Sequence, residues 1–559
     1  MEMRLLTPTE IWEGFNPVKD GTETSIISSR EKDNLVTTDV FFTSEKTASG
    51  RVRVYARISY DSRWRDARPA LILLPSHDEN RRFDDITVSL VKAGYVVCLC
   101  DYLGRQNGDN PHTTYPDEYS YAQAPECFSH LYSLTTTGRE TPWFRWAKAA
   151  RRAITMISEL RYVDSERIGI MGVDLGAQIA WQAAGMDGRV RALVPINGGG
   201  YLWRRGTPRF PGGDRELPSD DEERAYSAGV GAETYAKFVS CPTYFIVSSN
   251  SSNTDVDRAG DILSLVPAQS KVLLIVRGSA SQISMTAFDS LILWLRKNFA
   301  HDSAPVRMPD ISFRTEENTL YLHLKCSCPP ATVSAYYSSG EPVSFARTWT
   351  PLSAPQITGE DEYVYRVPTP SPDDLTVAFA TVSTPDGMMF SSRVAGIIPA
   401  DSGITAAADK NIAKSRVVYS GSMGTGLFWV TTDDFFLDES VLSAKKGPFG
   451  ITGAGTSKGT LVLCRTSYED FSSSKNAVLQ MDIYSAVPKE ITFTFVAYPD
   501  LTHYECRVRL TGGDFWQKVS ICAADCKCES GKTLQKFGIC KQMLVSGAED
   551  VLFNNIVWI

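Results

Sequence analysis

The sequence predicts a multidomain chain: a mostly parallel α/β sheet with helices on both faces, then two all-β units. Three observations carry this. A length of 559 residues exceeds what one hydrophobic core usually supports. Up to about residue 300, continuous apolar runs of strand length alternate with helical spacings, as covered parallel strands require. Beyond that point, short segments of alternating polarity are parted by Pro, Gly, Ser and Asp.

In chain order, "VRVYARISY" (52–60) alternates with period two, and "PALILLPS" (69–76) is a buried-strand run. The stretch "RRFDDITVSLVKAGY" has helical spacing, and "VVCLCDYLG" (96–104) is the next strand. "WFRWAKAARRAITMISEL" (143–160) repeats apolar residues at three and four, which predicts a long helix. "RIGIMGV", "VRALVPINGGG" (190–200), "PTYFIVSS" (242–249) and "KVLLIVRG" (271–278) supply the remaining strands.

Composition narrows the function classes. With 43% hydrophobic and 22% charged residues the chain is of ordinary globular type. A formal charge of −8 supplies no basic field, so no nucleic-acid partner is expected. No apolar stretch reaches the roughly 18 residues of a membrane span, and "MEMRLLTPTEIWEGFNP" lacks the core of a signal peptide. No membrane partner and a cytoplasmic location are the resulting expectations. Twelve cysteines over this length do not form the framework of a small secreted protein.

The most specific motif is "RIGIMGVDLGAQIAW" (167–181), a strand, a sharp turn and a helix, with Gly172 and Gly176 two residues either side of Asp174. The longer run "YVDSERIGIMGVDLGAQIAWQAA" resembles the nucleophile elbow of α/β-hydrolases of the dienelactone hydrolase, acetyl xylan esterase and prolyl oligopeptidase kind. The resemblance covers roughly residues 10–300. It implies Asp174 in the nucleophile's place, and an oxyanion hole from the Leu175 N–H with that of Ser76 or His77. It places the acid after "PTYFIVSS", where Asp255 and Asp257 stand, and a histidine after the last strand. There the chain has none before His301.

Of the six histidines, His77 sits at the mouth of the implied site and is the candidate base, although its position is that of the oxyanion loop; His112 lies in a polar loop. Asp174 then has three readings. It is a nucleophile, as in haloalkane dehalogenases and epoxide hydrolases, or a structural carboxylate accepting the N–H groups of the following helix, or a metal ligand with Asp255 or Asp257. The preferred expectation is a binding protein for a glycan, peptide or partner that has lost the Ser-His-Asp mechanism. The alternative is a hydrolase of carboxylic esters, of the acyl-carbohydrate kind, with an altered site around Asp174. No cofactor and no metal are expected, and the expected ligand is a carbohydrate or an acyl ester.

The α/β unit is expected over 1–301, an immunoglobulin- or fibronectin-like sandwich over 302–398, a linker over 399–412, and a galactose-binding or jelly-roll-like sandwich over 413–559. Each sandwich is expected to have its own core. In the last unit Trp429, Tyr484, Trp516 and Trp558 are aromatics on which a sugar ring could stack. Cys522, Cys526, Cys528 and Cys540 fall within nineteen residues, "CAADCKCESGKTLQKFGIC". Their spacing matches no pair-of-pairs zinc pattern, so reduced structural thiols are expected first and zinc second.

Overall fold

The computed structural model describes residues 5–76, 83–104, 112–131, 137–199, 208–213, 221–278, 282–300, 306–407, 415–463 and 469–559. Among the described residues up to Gly278 there are nine strands. They are β1 (Ser25–Lys32), β2 (Leu35–Lys46), β3 (Arg51–Asp61), β4 (Arg68–Leu74), β5 (Val96–Asp101), β6 (Val163–Val173), β7 (Val190–Ile196), β8 (Thr243–Ser248) and β9 (Lys271–Val276). They are ordered β1-β2-β3-β5-β4-β6-β7-β8-β9. The first three pair antiparallel, β3 meets β5 antiparallel, and β5 to β9 run parallel.

The helices here are α1 (Pro8–Trp12), α2 (Asp84–Lys92), α3 (Pro142–Ser158), α4 (Leu175–Met186), α5 (Asp221–Val230), α6 (Ala232–Ala236), α7 (Val256–Leu265) and α8 (Met285–Phe299). Helix α3 starts where Thr141 Oγ1 accepts the Phe144 N–H, with Pro142 at its first position. Its basic residues are buried too; Arg152 donates to the carbonyls of Thr43, Pro17 and Gly21, and the other three meet carboxylates. Arg145 and Lys148 meet Glu45 of β2 at 3.0 and 2.6 Å, and Arg151 meets Asp187 at 3.4 Å.

The seven strands expected from apolar or alternating runs are β3 to β9. Strands β1 and β2 carry no such signal. Every residue of β1 is exposed, and the buried face of β2 includes Thr37, Thr38, Asp39, Thr43 and Ser44. Tyr55 Oη donates to Asp39 at 2.6 Å and Arg53 Nη1 to Thr43 Oγ1 at 2.8 Å, while Val40 and Phe42 of the same strand enter the apolar core.

Past β9 the central sheet continues. Met389–Ser391 pairs antiparallel with β9 at Leu273, then Thr376–Ser383 and Thr332–Ser339 extend a sheet of fourteen strands. The Ile275 N–H donates to Ser391 Oγ at 3.0 Å, and Tyr244 Oη donates to the Met389 carbonyl at 2.7 Å. A second sheet, of four strands, contains Asp310–Glu316, Thr319–Lys325, Glu362–Val367 and Gln356–Ile357. Its inward residues Leu320, Leu322 and Tyr365 pack in one cluster with Leu291, Trp294 and Leu295 of α8. Contrary to expectation, the middle strands therefore have no separate core, because the edge of the parallel sheet is open to them and α8 shares its apolar face. Ile404, inside the stretch expected as a linker, is buried in the same cluster.

Residues 415–559 do enclose a core of their own, with Leu479, Phe493, Phe495, Met543 and Phe553 at its centre. One sheet has six strands and the other five. Their long strands are Val478–Tyr484, Lys489–Ala497, His503–Leu510, Gln517–Cys522, Cys540–Ser546 and Leu552–Trp558.

Candidate active site

Asp174 stands at the turn between β6 and α4 with φ 51° and ψ −112°. That pair lies outside the left-handed helical region open to L-residues, and holding it costs about 1–3 kcal/mol. Glycines make the turn possible by close approach. A Cβ on Gly172 would lie 2.1 Å from the Gly176 carbonyl oxygen, and one on Gly176 would lie 2.2 Å from that of Leu74. A third, Gly198 after β7, would collide with the Asp174 carbonyl oxygen at 2.3 Å. The first two belong to the elbow motif, while Gly198 was visible only as the glycine run "INGGG".

The Asp174 carboxylate is buried, 6% exposed. Ser76 Oγ donates to Oδ2 at 2.7 Å, and Asn253 Nδ2 donates to Oδ1 at 3.3 Å. A side-chain cap on α4, one of the three readings of Asp174, is not made. Ser76 thus reaches Asp174 through its hydroxyl, where the resemblance implied its backbone N–H. Leu175, partly buried, opens α4 as expected.

The end of β4 is fixed from β5. Tyr102 Oη donates to the Pro75 carbonyl at 2.6 Å, and burial together with the charge of Asp174 pushes its pKa well above the usual tyrosine value. Asp101, also buried, accepts the N–H groups of Gly104 at 2.9 Å and Thr113 at 3.0 Å. The loop carrying half-buried His112 is thereby drawn against the end of β5. His77 and His301 lie outside the described residues. His130 stands 6.5 Å from the Tyr121 ring centroid, His323 lies within the second sheet, and His503 is exposed.

The loop after β8 is tied elsewhere. Asn250 Nδ2 donates to the carbonyls of Phe345 and Arg347 at 3.0 and 2.7 Å, and Trp349 Nε1 donates to the Ser249 carbonyl at 3.2 Å. Asp257 forms a buried two-pronged pair with Arg347, Nη2 to Oδ2 at 2.7 Å. Asp255 caps α7 by accepting the Asp257 N–H at 3.1 Å. Asn253, which sequence reasoning did not single out, is the residue of this loop that reaches Asp174.

Burial, with the Asp257 charge adding to it, raises the Asp255 pKa from 3.8 to about 6. The folded value exceeds the unfolded one, so folding takes up a proton between about pH 4 and pH 6 and stability falls as pH rises through that window. Asp255→Asn keeps a good capping residue and removes the charge. It is expected to gain about 1–2 kcal/mol at about pH 7 and nothing below about pH 4, in urea melts on both sides of the window. An equal effect at both ends would exclude this linkage.

The segment after β9 is also engaged. Gln282 Nε2 donates to Thr432 Oγ1 at 2.8 Å and to the Asp434 carbonyl at 2.7 Å, and Ile283–Ser284 pairs in parallel with Phe436–Leu437. Among the described residues, no three His, Cys, Asp or Glu side chains are grouped as metal ligands.

Of the expected sugar platforms, Trp558 is buried, and the Trp516 indole donates to the Pro448 carbonyl at 3.1 Å. Tyr484 lies 5.9 Å from Trp516, and Trp429 faces the Arg277 guanidinium at 5.1 Å. Cys526 is buried after a short 3-10 turn rather than in a strand, Cys540 is buried, Cys528 half-buried and Cys522 exposed. The Cys526 thiol donates to the Cys522 carbonyl at 3.6 Å, and the neighbouring Cys506 together with burial raises its pKa.

Residues 64–216 match the family model of the Dienelactone hydrolase family. A search of the curated proteins finds no match. Among solved structures, an acetyl xylan esterase from Paenibacillus sp. shares 14% identity over 50% of this chain and 90% of its own, with a TM-score of 0.40. Acetyl xylan esterase 1 from Thermoanaerobacterium sp. shares 14% over 52% and 93%, at 0.39. A glucuronoyl esterase from Solibacter usitatus shares 11% over 52% and 91%, at 0.35. The family match and the strand order make the N-terminal half an α/β-hydrolase-type domain, followed by a half built largely of β-strands in several sheets.

Proposed function

We propose that this chain keeps a hydrolase scaffold without a Ser-His-Asp mechanism, and that the Asp174 site binds a carbohydrate or acyl-ester ligand. One observation carries the reading: the two loops from which a hydrolase supplies its acid and its histidine are engaged in holding the β regions. After β8, Asp257 is neutralised by Arg347; after β9, Gln282 is bonded to Thr432 and Asp434. A triad works as a unit, so a carboxylate at the elbow with no histidine from the last loop lacks most of its rate. In the same reading 413–559 is a jelly-roll-like unit.

A second reading is an ester hydrolase in which the Asp174 carboxylate itself acts. The strained backbone at Asp174 favours it, since such strain concentrates at functional sites. The two are separated with wild type, Asp174→Ala and Asp174→Ser on a panel of activated short-chain acyl esters, with thermal melts alongside. The first reading expects wild type and Asp174→Ala to be equally slow, and Asp174→Ser to gain no efficient turnover. Rapid turnover by wild type, abolished in Asp174→Ala with an unchanged melt, establishes the second.

A further inference from the structure

A cavity of about 530 Å³ lies where three parts of the chain meet: the end of β9, the strand Thr332–Ser339, and the segment Thr425–Val430 of the last region. Arg277, the residue after β9, lines it. Its guanidinium carbon lies 5.1 Å from the ring centroid of Tyr336 and 5.1 Å from that of Trp429. Tyr336 is held in turn by stacking on Phe379 at 5.3 Å. Two rings from different regions therefore fix one cation in place.

Among the described residues no carboxylate pairs with it. Arg145, Arg151 and Arg347 each face a carboxylate, whereas Arg277 Nε is buried with no hydrogen-bond partner among the described residues. The carboxylate that lines the cavity, Asp438, is exposed and accepts the Ser440 N–H and hydroxyl on Oδ1 at 2.9 and 2.6 Å. A guanidinium has five N–H donors and no acceptor, and its fork matches the two oxygens of a carboxylate.

The rest of the lining selects further. Arg277 is the one cation among the described lining residues, which suits a single negative charge better than a doubly charged phosphate. Ser334 and Thr425 present hydroxyls, and Leu274, Met389 and Phe428 form apolar wall. The volume falls in the range of roughly 300–1,000 Å³ typical of small-molecule sites. None of Asp174, Ser76 and Asn253 lines this cavity.

We infer that this cavity is a second ligand site, in which Arg277, held against Tyr336 and Trp429, receives the carboxylate of a hydroxylated acid of about sugar-acid size. Calorimetry on the full chain tests it with D-galacturonate as probe, D-galactose as the same ring without the charge, and inorganic phosphate as a different anion. Galacturonate is expected to bind saturably at one site and to raise the melting temperature, with galactose and phosphate doing neither. Arg277→Met is expected to weaken galacturonate binding by about tenfold or more, and Arg277→Lys, which keeps the charge but loses the fork, by less. Should Arg277→Met fail to fold, the wild-type contrast between galacturonate and galactose together with Arg277→Lys still decides. No binding of galacturonate, equal binding of galactose, unaltered binding by a folded Arg277→Met or preference for phosphate would each overturn the assignment.

Discussion

Arg347→Met is expected to destabilise the protein by about 3–5 kcal/mol, the usual cost of leaving one partner of a buried ion pair alone. The Arg347 side chain has no solvent exposure and that of Asp257 has 9%. Beyond its two bonds to Asp257, Arg347 Nε donates to the Glu341 carbonyl at 3.1 Å and Nη2 to that of Pro342 at 3.2 Å. Its own carbonyl receives Asn250 Nδ2 at 2.7 Å. Removing the guanidinium leaves the Asp257 carboxylate buried next to Asp255, whose pKa is already raised by that neighbour. Replacing both partners by apolar groups, as in Arg347→Met with Asp257→Leu, is expected to recover most of the loss, because no charge is then stranded. Urea melts of the single and double variants measure this. A loss below about 1 kcal/mol in the single variant would mean that water reaches Asp257 and that the pair is not a clamp.

Gly176→Ala is expected to cost about 3 kcal/mol or more and to abolish a cooperative melt under ordinary conditions. The added Cβ would sit 2.2 Å from the Leu74 oxygen, 2.7 Å from the Leu74 carbonyl carbon and 2.7 Å from the Pro75 oxygen. All three are backbone atoms at the end of β4. No rotamer change relieves them, so α4 must lift from β4 and carry Asp174 away from Ser76. Gly188→Ala is the control, since nothing lies within 4 Å of a Cβ there. Thermal melts of the two variants separate the steric effect from the general effect of a methyl group. A Gly176→Ala protein that melts like wild type would show that the elbow relaxes.

Strands β3 to β9 were legible because strands covered on both faces must be apolar or alternate strictly. The elbow was legible for a similar reason, as Gly172 and Gly176 answer clashes with atoms a few residues away or on the adjoining strand. Strands β1 and β2 were not, since an exposed strand leaves no hydrophobic period and β2 interrupts its buried Val36, Val40 and Phe42 with buried Thr37, Thr38 and Asp39. The same limit applied to the middle strands. Their alternation marked them as β, but nothing in it told that they would extend the parallel sheet and share the core of α8.

By itself, then, the sequence determined the alternating α/β order, the sharp turn at Asp174 and the change to β structure near residue 300. These follow from local sterics and periodicity, which act over a few residues. The tertiary structure alone decided what Asp174 touches and what the flanking loops do. Ser76 is 98 positions from Asp174, Asn253 is 79 positions away, and Arg347 is 90 positions from Asp257. Trp429 was visible as an aromatic residue, but its facing of Arg277 depends on the last region closing over the end of β9. Contacts at such separations are set by how sheets and helices pack, and the composition of neither partner records the other.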